Sequence, residues 1–299
     1  MCPPFLFGRK MKISAALILA QQKLQQNKIN SAAIDALVLL CYTTGLSKEK
    51  IIFNPNQELT QKQQDDFWSV IARRQKREPV SHILSQREFY GLDFFVSSAV
   101  LDPRPDSESL IELVGEIFLD KNQKLEILEL GVGSGCLSIV LLKNFINAAA
   151  SGVDISLAAL EVAQKNAATH QVQNRFQLRQ SDLFAAILPQ KFDLIISNPP
   201  YIEAAKIENL ADEVRLFEPR LALDGGVDGL DFYRRIAKES ARFLKPAGLV
   251  VVEVGYDQAQ KVAEIFAQER FGFEGMRRDL GGVARALWFV EFFASSLLE

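Results

Sequence analysis

The sequence predicts an α/β protein in which a small helical domain precedes a doubly wound sheet domain. Three observations lead to this fold class. Residues 13–77 repeat apolar positions at helical spacing, and residues from 125 onward alternate short apolar runs with helical segments. The stretch between them alternates like a hairpin. Alternating strands and helices are typical of a mainly parallel sheet that is covered on both faces.

Helical periodicity predicts the N-terminal domain, residues 1–78, which we expect to bind a partner. Apolar positions recur over Ile13–Gln26 and again over Ser31–Leu40. Thr60-Gln61-Lys62-Gln63 has the form of a capping box that opens a third, long helix. Pro79 is expected to end that helix, because proline cannot continue the backbone hydrogen bonds.

Residues 79–100 are predicted to form a linker hairpin, because REFYGLDFFV alternates around Gly91-Leu92. The remaining residues, 101–299, are predicted to form the sheet domain. Its predicted strands are Leu125–Leu130, Gly152-Val153, Phe192–Ser197, Leu249–Val254, Phe271–Arg278 and Ala286–Phe292. Its predicted helices include Ser156–His170 and Asp231–Leu244.

Cysteine and histidine usage argues against a disulfide framework and against a metal site. Cys2, Cys41 and Cys136 are odd in number and widely separated, and neither His82 nor His170 has a second ligand at metal-binding spacing. The apolar opening is too short for a signal peptide or a membrane span. We therefore expect a cytoplasmic protein without metal or membrane association, and a monomer.

The net charge of −3 conceals an asymmetry between the two parts of the chain. Residues 1–100 carry 13 Lys and Arg against 8 Asp and Glu, whereas 101–299 carry 21 against 29. The basic run Arg73–Arg77 indicates a solvated helix face, with a contact surface for an acidic partner as the alternative. An acidic second part is poorly suited to holding long duplex DNA, so no stable nucleic-acid partner is expected.

Glycines follow the first strand of the sheet domain at regular spacing. In LEILELGVGSGCLSIVLL, Gly131, Gly133 and Gly135 lie between a strand and a helix, where the backbone can approach a ligand. A triphosphate-binding loop would need Gly-Lys-Ser/Thr, and Cys136 replaces the last glycine of a dinucleotide fingerprint. With Glu129 before it, the loop indicates a nucleoside that carries an amino acid. A tight structural turn is the alternative.

Carboxylates follow the next two strands. Asp154 in SGVDIS can accept both ribose hydroxyls, but it would equally serve as a cap for the helix from Ser156 onward. RQSDLF follows the third strand and is expected to border the adenine through Asp182 and Leu183, although turns with Asp are common. Because open α/β sheets bind ligands at the carboxyl ends of their strands, these groups are expected to line one pocket.

The strand Phe192–Ser197 is predicted to be central, and it ends in Asn198-Pro199-Pro200-Tyr201. Its two prolines fix φ and remove backbone donors, so this corner offers carbonyl oxygens from a stiff frame. The Asn198 side chain adds an acceptor. Two converging acceptors suit the two hydrogens of a planar NH₂ group, with Tyr201 against its flat face. A stiff loop that closes the strand is the alternative.

The corner and ELGVGSG together resemble those class I S-adenosylmethionine-dependent methyltransferases that act on planar amide or amine nitrogens. The resemblance implies a Rossmann-like catalytic domain. More narrowly, the chain resembles the peptide chain release factor N(5)-glutamine methyltransferase family, also called HemK or PrmC. The resemblance covers nearly the whole chain. It includes the leading helices, REPVSHIL, EFYGLDFFV, VLDPRPDSESLIE and EPRLALDGGVDGLDFYRRI.

The resemblance implies S-adenosylmethionine as cofactor, S-adenosylhomocysteine as product and the GGQ glutamine of class-1 peptide chain release factors as substrate. The predicted cofactor-binding residues are Glu129, Gly131, Gly133, Gly135, Asp154, Asp182, Leu183 and Asn198. The predicted catalytic residues are Asn198, Pro199 and Tyr201, which match the side-chain acceptor, the backbone acceptor and the aromatic wall of the glutamine pocket. The predicted substrate contacts are these three with Pro200, Arg104 and Pro105. Pro103 and Asp106-Ser107-Glu108 complete the matching segment.

An amide nitrogen is a weak nucleophile because its lone pair is delocalised. We expect Asn198 Oδ1 and the Pro199 carbonyl each to accept one N–H and to hold it more strongly as positive charge develops on nitrogen. The same pair orients the nitrogen for attack. Both histidines lie outside the motifs, so the proton is expected to leave to water after methyl transfer.

Three other functions are alternatives to this assignment. An adenine-specific DNA methyltransferase would share the corner but should bring a target-recognition domain and a basic groove. A ribosomal-protein glutamine methyltransferase would share the core, and the N-terminal helices favour the release-factor branch. A non-catalytic binding module should have a broken corner or glycine loop, and both are intact in this sequence.

The sequence departs from the family pattern at a few positions. His82 stands where the family usually has Tyr, Ser85 where it usually has Gly, and Ser107 where Thr is common. The first ten residues have no family counterpart, which makes Met11 a candidate start.

Overall fold

The computed structural model of the protein describes residues 11–279 and 281–292. Cys2 and the segment before Met11 lie outside the described residues. The helices are α1 Ile13–Gln26, α2 Ala32–Thr44, α3 Lys48–Phe53, α4 Gln61–Gln75, α5 Val80–Leu84, α6 Glu108–Ile117, α7 Cys136–Asn144, α8 Leu157–Thr169, α9 Asp212–Phe217, α10 Asp231–Ser240 and α11 Ala259–Gln268. The strands are β1 Met11–Lys12, β2 Glu58–Leu59, β3 Arg87–Phe89, β4 Leu92–Phe94, β5 Glu126–Leu130, β6 Ala149–Asp154, β7 Phe176–Gln180, β8 Phe192–Ser197, β9 Leu244–Glu253, β10 Phe271–Arg278 and β11 Ala284–Glu291.

The chain divides into two compact units, and the first contains residues 11–85 together with α9. Helix α1 has the predicted bounds, and its apolar stripe, Ile13, Ala16, Ala20 and Leu24, is buried against α2 and α4. The capping box of α4 is confirmed: Thr60 Oγ1 accepts from Gln63 N and Gln63 Oε1 accepts from Thr60 N. Both contacts satisfy N–H groups that the first helical turn leaves open.

The end of α4 differs from the prediction. The helix ends at Gln75, before Pro79, and the chain turns through Arg77 at φ 72°. Pro79 instead precedes α5, where its fixed φ suits a helix start. Helix α2 also runs on to Thr44, beyond the predicted end at Leu40.

The basic run at the end of α4 is not a uniformly solvated face. The Arg74 side chain is only 6% exposed and contacts Asp35 at 2.7 Å and Glu213 of α9 at 3.0 Å. Arg73 pairs with Glu78 at 2.5 Å, and Arg77 lies 3.4 Å from Glu213. Much of the predicted positive face is therefore neutralised inside this unit, because a buried guanidinium is stable only among carboxylates.

The second unit, residues 86–211 and 218–292, is built on one sheet. Among the described residues its strand order is β10-β11-β9-β8-β5-β6-β7. Strand β11 is antiparallel to both β9 and β10, and the other neighbours are parallel. Strand β8 occupies the middle of the sheet, as predicted. The order reverses between β5 and β8, which is where open α/β sheets bind ligands.

Both faces of the sheet are covered by helices, which explains its continuous apolar strands. Ile127 and Leu194 belong to the core on one face, and Leu128 and Ile195 belong to the core on the other. No helix within residues 11–279 and 281–292 is both long and apolar enough to cross a membrane.

The predicted hairpin turn and several predicted element ends in this unit need correction, including those of β6, Ala149–Asp154, and β11, Ala284–Glu291. The hairpin between β3 and β4 turns at Tyr90-Gly91, one residue earlier than predicted, because both residues adopt positive φ, 52° and 74°. Helix α10 ends at Ser240, and Leu244 already begins β9. The predicted helix Asp231–Leu244 was therefore too long, and strand β9 begins before the predicted Leu249.

Candidate active site

The glycine loop after β5 has a conformation that favours glycine at every second residue. Gly131, Gly133 and Gly135 have φ of 72°, 50° and 79°. A Cβ built on Gly131 or Gly133 would meet no atom within 4 Å, so a side chain would project into open space beside the loop. The N–H groups of Gly131 and Val132 both donate to Val153 O at 2.9 Å. These bonds hold the loop to the end of β6 and leave room beside it for a ligand.

Glu129 is a buried acid near the end of β5. The residue is only 2% exposed. Its carboxylate accepts a hydrogen bond from Ser138 N at 3.0 Å, in the first turn of α7. Burial raises the pKa of Glu129 to about 8, against the opposing effect of that hydrogen bond. An acid held this way favours a cationic ligand group, which would restore its ionised form.

Asp154 links the glycine loop to the turn after β6. Its Oδ2 accepts from Gly133 N at 3.0 Å, and its Oδ1 accepts from Ser156 N at 2.9 Å. Ser156 itself caps α8, because its Oγ accepts from Ala159 N at 3.2 Å. Asp154 is therefore not the helix cap that the sequence left open as an alternative. Each carboxylate oxygen retains a lone pair for a further donor.

The third predicted element contributes one buried and one exposed residue. Leu183 is 7% exposed, has φ 48° and accepts from Ser181 Oγ at 2.7 Å through its carbonyl. Asp182 is exposed and pairs with Arg235 of α10 at 2.8 Å. The Leu183 backbone is thus fixed by Ser181, while the Asp182 carboxylate pairs with the Arg235 guanidinium.

A cavity of about 290 Å³ lies at the carboxyl ends of these strands. It brings together most of the predicted site, namely Arg104, Glu129, Gly131, Gly133, Asp154, Asp182, Leu183, Asn198 and Pro200. The predicted residues Pro105, Gly135, Pro199 and Tyr201 are not among its lining residues. Pro199 and Gly135 are buried, and Pro105 is exposed. Ser107, Cys136 and Phe232 also line the cavity.

The corner after β8 adjoins the glycine loop through β5. Ser197 Oγ donates to Leu130 O at 2.7 Å, which ties the last residues of the two central strands together. Asn198 is partly buried, and its Nδ2 donates to Ser107 Oγ at 3.0 Å. An amide that donates on one side presents its acceptor Oδ1 on the other. The corner therefore combines a defined amide orientation with the stiff backbone of two prolines.

A later segment fixes the backbone of the corner. Ile202 N donates to Leu223 O at 3.0 Å, and Gly225 N donates to Ile202 O at 2.8 Å. Gln258 Nε2 donates to Tyr201 O at 2.9 Å. A Cβ on Gly225 would lie 2.7 Å from Tyr201 Cα, so only glycine permits this approach. The sequence pointed to this segment through EPRLALDGGVDG but did not reveal its role, because the contact depends on tertiary pairing.

Glu253, at the end of β9, was not predicted from the sequence. It is fully buried and receives the Tyr201 hydroxyl on Oε1 at 3.3 Å and the Ser107 hydroxyl on Oε2. Tyr233 of α10 donates to its main-chain oxygen at 2.9 Å. Burial raises the pKa of Glu253 to about 7, and proximity to Arg285 opposes the shift. The sequence does show an acid at the end of the apolar run of β9, but it does not show which residues this acid contacts.

Arg104 is also held by a residue that sequence reasoning missed. Its guanidinium lies 2.6 Å from Glu218, whose side chain is 2% exposed, while Arg104 itself is one-third exposed. Arg285 similarly pairs with Asp106 at 2.9 Å. Two ion pairs thus anchor the segment from Arg104 to Ser107, which includes the turn Pro105–Ser107.

The residues present suit S-adenosylmethionine, which carries a ribose, a sulfonium and an amino-acid group. A buried acid, Glu129, and a second acid, Asp154, border the same cavity as the open glycine loop. Among the described residues, no cluster of three or more His, Cys, Asp or Glu side chains could hold a metal ion. The arrangement can bind a cationic nucleoside and present acceptor oxygens to a neighbouring nitrogen.

Two family models match the chain. The PrmC N-terminal domain matches residues 15–84, and the Methyltransferase small domain matches residues 107–218. A methyltransferase crystal structure from Pyrococcus furiosus superposes with a TM-score of 0.52 at 18% identity, covering 69% of this chain and 91% of that one. The sheet order and these matches confirm the predicted class I S-adenosylmethionine-dependent methyltransferase fold.

Curated relatives match over nearly the full length. The release factor glutamine methyltransferase of Agrobacterium fabrum is 40% identical over 285 residues, 94% of this chain and 98% of that protein. The release factor glutamine methyltransferase of Caulobacter vibrioides is 40% identical over 247 residues, 83% of this chain and 85% of that protein. The family resemblance predicted from the corner, the glycine loop and the leading helices is confirmed. The chain belongs to the release factor glutamine methyltransferase family.

Proposed function

We propose that this protein transfers a methyl group from S-adenosylmethionine to the side-chain amide nitrogen of the GGQ glutamine in class-1 peptide chain release factors. The observation that carries the proposal is the 40% identity to release factor glutamine methyltransferases over 94% of the chain. The orientation of the Asn198 amide supports it, because a planar nitrogen substrate needs acceptor oxygens beside the cofactor pocket.

The chain's own residues divide the work. Glu129 and Asp154 hold the cofactor, whose sulfonium supplies the methyl group. Asn198 Oδ1 and the Pro199 carbonyl each accept one N–H of the glutamine amide. Both hydrogen bonds strengthen as positive charge develops on nitrogen. They therefore stabilise the transition state more than the bound substrate. The two prolines and the bonds to Gly225 and Gln258 limit the reorganisation that this requires.

Tyr201 is proposed as the aromatic wall of the glutamine pocket, with its hydroxyl anchored on Glu253. The amide proton is proposed to leave to water after transfer, since neither His82 nor His170 lines the cavity. His170 Nε2 instead contacts Asp93 O at 2.8 Å.

The helical unit is proposed to bind the protein substrate. The protein is also proposed to act as a monomer in the cytoplasm, where release factors work. The arginines at and just after the end of α4 are largely paired with carboxylates. Lys48 and Lys50 of α3 are exposed and supply positive charge on the surface of this unit. Lys48→Glu with Lys50→Glu should raise the KM for the release factor and leave cofactor affinity unchanged. The exposed Lys121 of the other unit, changed to Glu, is the control.

The test of the reaction is a methyl-transfer assay with labelled cofactor. A purified release factor, its GGQ→GGA variant, ribosomal proteins and DNA are offered separately. Label should enter the parent release factor alone. Labelling of DNA, or equal labelling of the GGA variant, would refute the assignment, and labelling of a ribosomal protein instead would favour the ribosomal-protein branch.

A further inference from the structure

A chain of hydrogen bonds runs from the corner to the buried carboxylate of Glu253. Asn198 Nδ2 donates to Ser107 Oγ at 3.0 Å, and Ser107 Oγ donates to Glu253 Oε2. Tyr201 donates to the other carboxylate oxygen at 3.3 Å. Ser107 and Glu253 are 3% and 0% exposed, so water does not compete for these contacts. Two of the three predicted catalytic residues, Asn198 and Tyr201, are thus connected by hydrogen bonds to the Glu253 carboxylate.

The Glu253 carboxylate sets the direction of these hydrogen bonds. An ionised carboxylate only accepts, and a serine hydroxyl has a single hydrogen. The Ser107 hydrogen must therefore point at Glu253, and the oxygen can only accept on its Asn198 side. That selects Nδ2 of the Asn198 amide for this contact. The nitrogen and oxygen of an amide are nearly alike in shape, so shape alone would not exclude the flipped amide.

We propose that Glu253 and Ser107 are positioning residues, which fix the Asn198 amide with Oδ1 turned away from Ser107 and available as the acceptor for the substrate nitrogen. The role of that acceptor rests on the proposed function. The fixed orientation itself is a property of the free protein and can be measured without a substrate.

Protonation of Glu253 would remove the constraint. A protonated carboxyl can donate to Ser107 Oγ, and Ser107 can then donate to a flipped amide through Asn198 Oδ1. The groups that act on this carboxylate come from several elements: Arg285 of β11, Asp106 and Ser107 of the turn before α6, Tyr201 of the corner, Tyr233 of α10 and Cys136 at the start of α7. Arg285 favours the ionised form, whereas burial and Asp106 oppose it.

The pKa of about 7 means that the carboxylate is ionised above neutral pH and protonated below it. The amide orientation should therefore be fixed above about pH 7 and relax below it. The turnover number should fall in the same range on acidification, while cofactor affinity should not follow it through this route.

The direct test is the side-chain NH₂ resonance of Asn198 in proton–nitrogen correlation spectra of the full, isotope-labelled chain without substrate. The resonance is assigned by its absence in Asn198→Asp. Its shift should titrate with a midpoint near the Glu253 pKa of about 7, and Glu253→Gln should abolish that titration. A resonance that does not titrate, or that titrates alike in both proteins, would overturn the proposal.

Variants of Ser107 give a second test that does not depend on the folding of the Glu253 variant. Ser107→Ala should lower kcat by about 10- to 100-fold, the effect of losing a hydrogen bond to a charged partner. Cofactor affinity should stay unchanged, and Ser107→Thr, which keeps the hydroxyl, should restore most of the rate. Ser109→Ala is the matched control, because Ser109 is equally buried but donates to the main-chain oxygen of Asp106.

Equal losses in Ser107→Ala and Ser109→Ala would show a merely structural effect and overturn the proposal. A parent protein that methylates no release factor would defeat the proposed function alone. In that case the titration of the Asn198 resonance still decides whether Glu253 orients the amide.

Discussion

The main-chain N–H of Gly133 donates a 3.0 Å hydrogen bond to Asp154 Oδ2, so one carboxylate holds the glycine loop and faces the cavity. Asp154→Ala should therefore lose both the loop's anchor and the predicted ribose contact. We expect the dissociation constant of S-adenosylmethionine to rise about 10- to 100-fold, from one or two hydrogen bonds to a charged acceptor. Isothermal titration calorimetry measures this, and kcat at saturating cofactor should change much less.

Asp182→Ala is the comparison for that experiment, because Asp182 also lines the cavity but is exposed and pairs with Arg235. Its effect on affinity should be smaller, as expected for an exposed ion pair. Unaltered cofactor binding in Asp154→Ala would remove Asp154 from the ribose site.

Asn198→Ala should have the opposite profile. The turnover number should fall by about 10²- to 10³-fold, the usual cost of removing one preorganised acceptor or donor at a reacting group. Cofactor affinity should change little, because the loop and both acids remain. Asn198→Asp is a more specific variant, because it keeps an acceptor oxygen but loses the Nδ2 donor to Ser107. Equal losses of kcat and cofactor affinity in Asn198→Ala would contradict this division of labour.

Glu129 should make cofactor binding depend on pH. Its pKa of about 8 leaves it mainly protonated at neutral pH, and a cationic ligand favours the ionised form. Binding should therefore release a proton, and affinity should increase as pH rises toward 8 by up to about tenfold per unit. Calorimetry in buffers of different ionisation enthalpy counts the proton.

Glu129→Gln should bind the cofactor more weakly and lose this proton release. The difference between the two proteins isolates Glu129 from any titration of the cofactor's own amine. A parent-like pH dependence in Glu129→Gln would show that another group is responsible.

The sequence predicts elements well wherever local chemistry decides them. Helix α1, strands β8 and β10 and the capping box at Thr60 have their predicted bounds, because apolar spacing and cap residues act over a few positions. Errors concentrate at ends, as at Ser240, where a strand takes over apolar residues that would equally continue a helix.

For the functional site, prediction from the sequence is limited in the same way, because local motifs are found and distant contacts are not. The glycine loop, the acids after β5 and β6 and the corner are contiguous motifs, and the cavity brings most of them together. Glu253, Glu218 and Gln258 act through partners that lie far away in the chain, such as Ser107, 146 positions from Glu253. No spacing rule encodes such pairs, so only the fold reveals them.

The buried Arg74 should be far more important for stability than its neighbour Arg73. Arg74→Met leaves Asp35 buried without its cation and should cost about 3–5 kcal/mol, whereas Arg73→Met removes an exposed pair worth about 1 kcal/mol or less. Urea unfolding followed by Trp68 fluorescence in a Trp288→Phe background reports the helical unit alone, since these are the two tryptophans of the chain. Similar midpoints for both variants would mean that the buried pair contributes no net stability.

Ser85 occupies a position where the backbone favours glycine. It ends α5 with φ 54° and ψ 35°, in the left-handed region, and it is exposed. A Cβ in this conformation costs about 1–2 kcal/mol relative to glycine, partly offset by the greater freedom of glycine in the unfolded chain. Ser85→Gly should therefore raise the unfolding free energy of the helical unit by up to about 1 kcal/mol. The reverse change at the equivalent end of α2, Gly45→Ser at φ 68°, should lower it by a similar amount. Both are read by the Trp68 assay, and a loss of stability in Ser85→Gly would show that the serine side chain contributes more than its backbone strain costs.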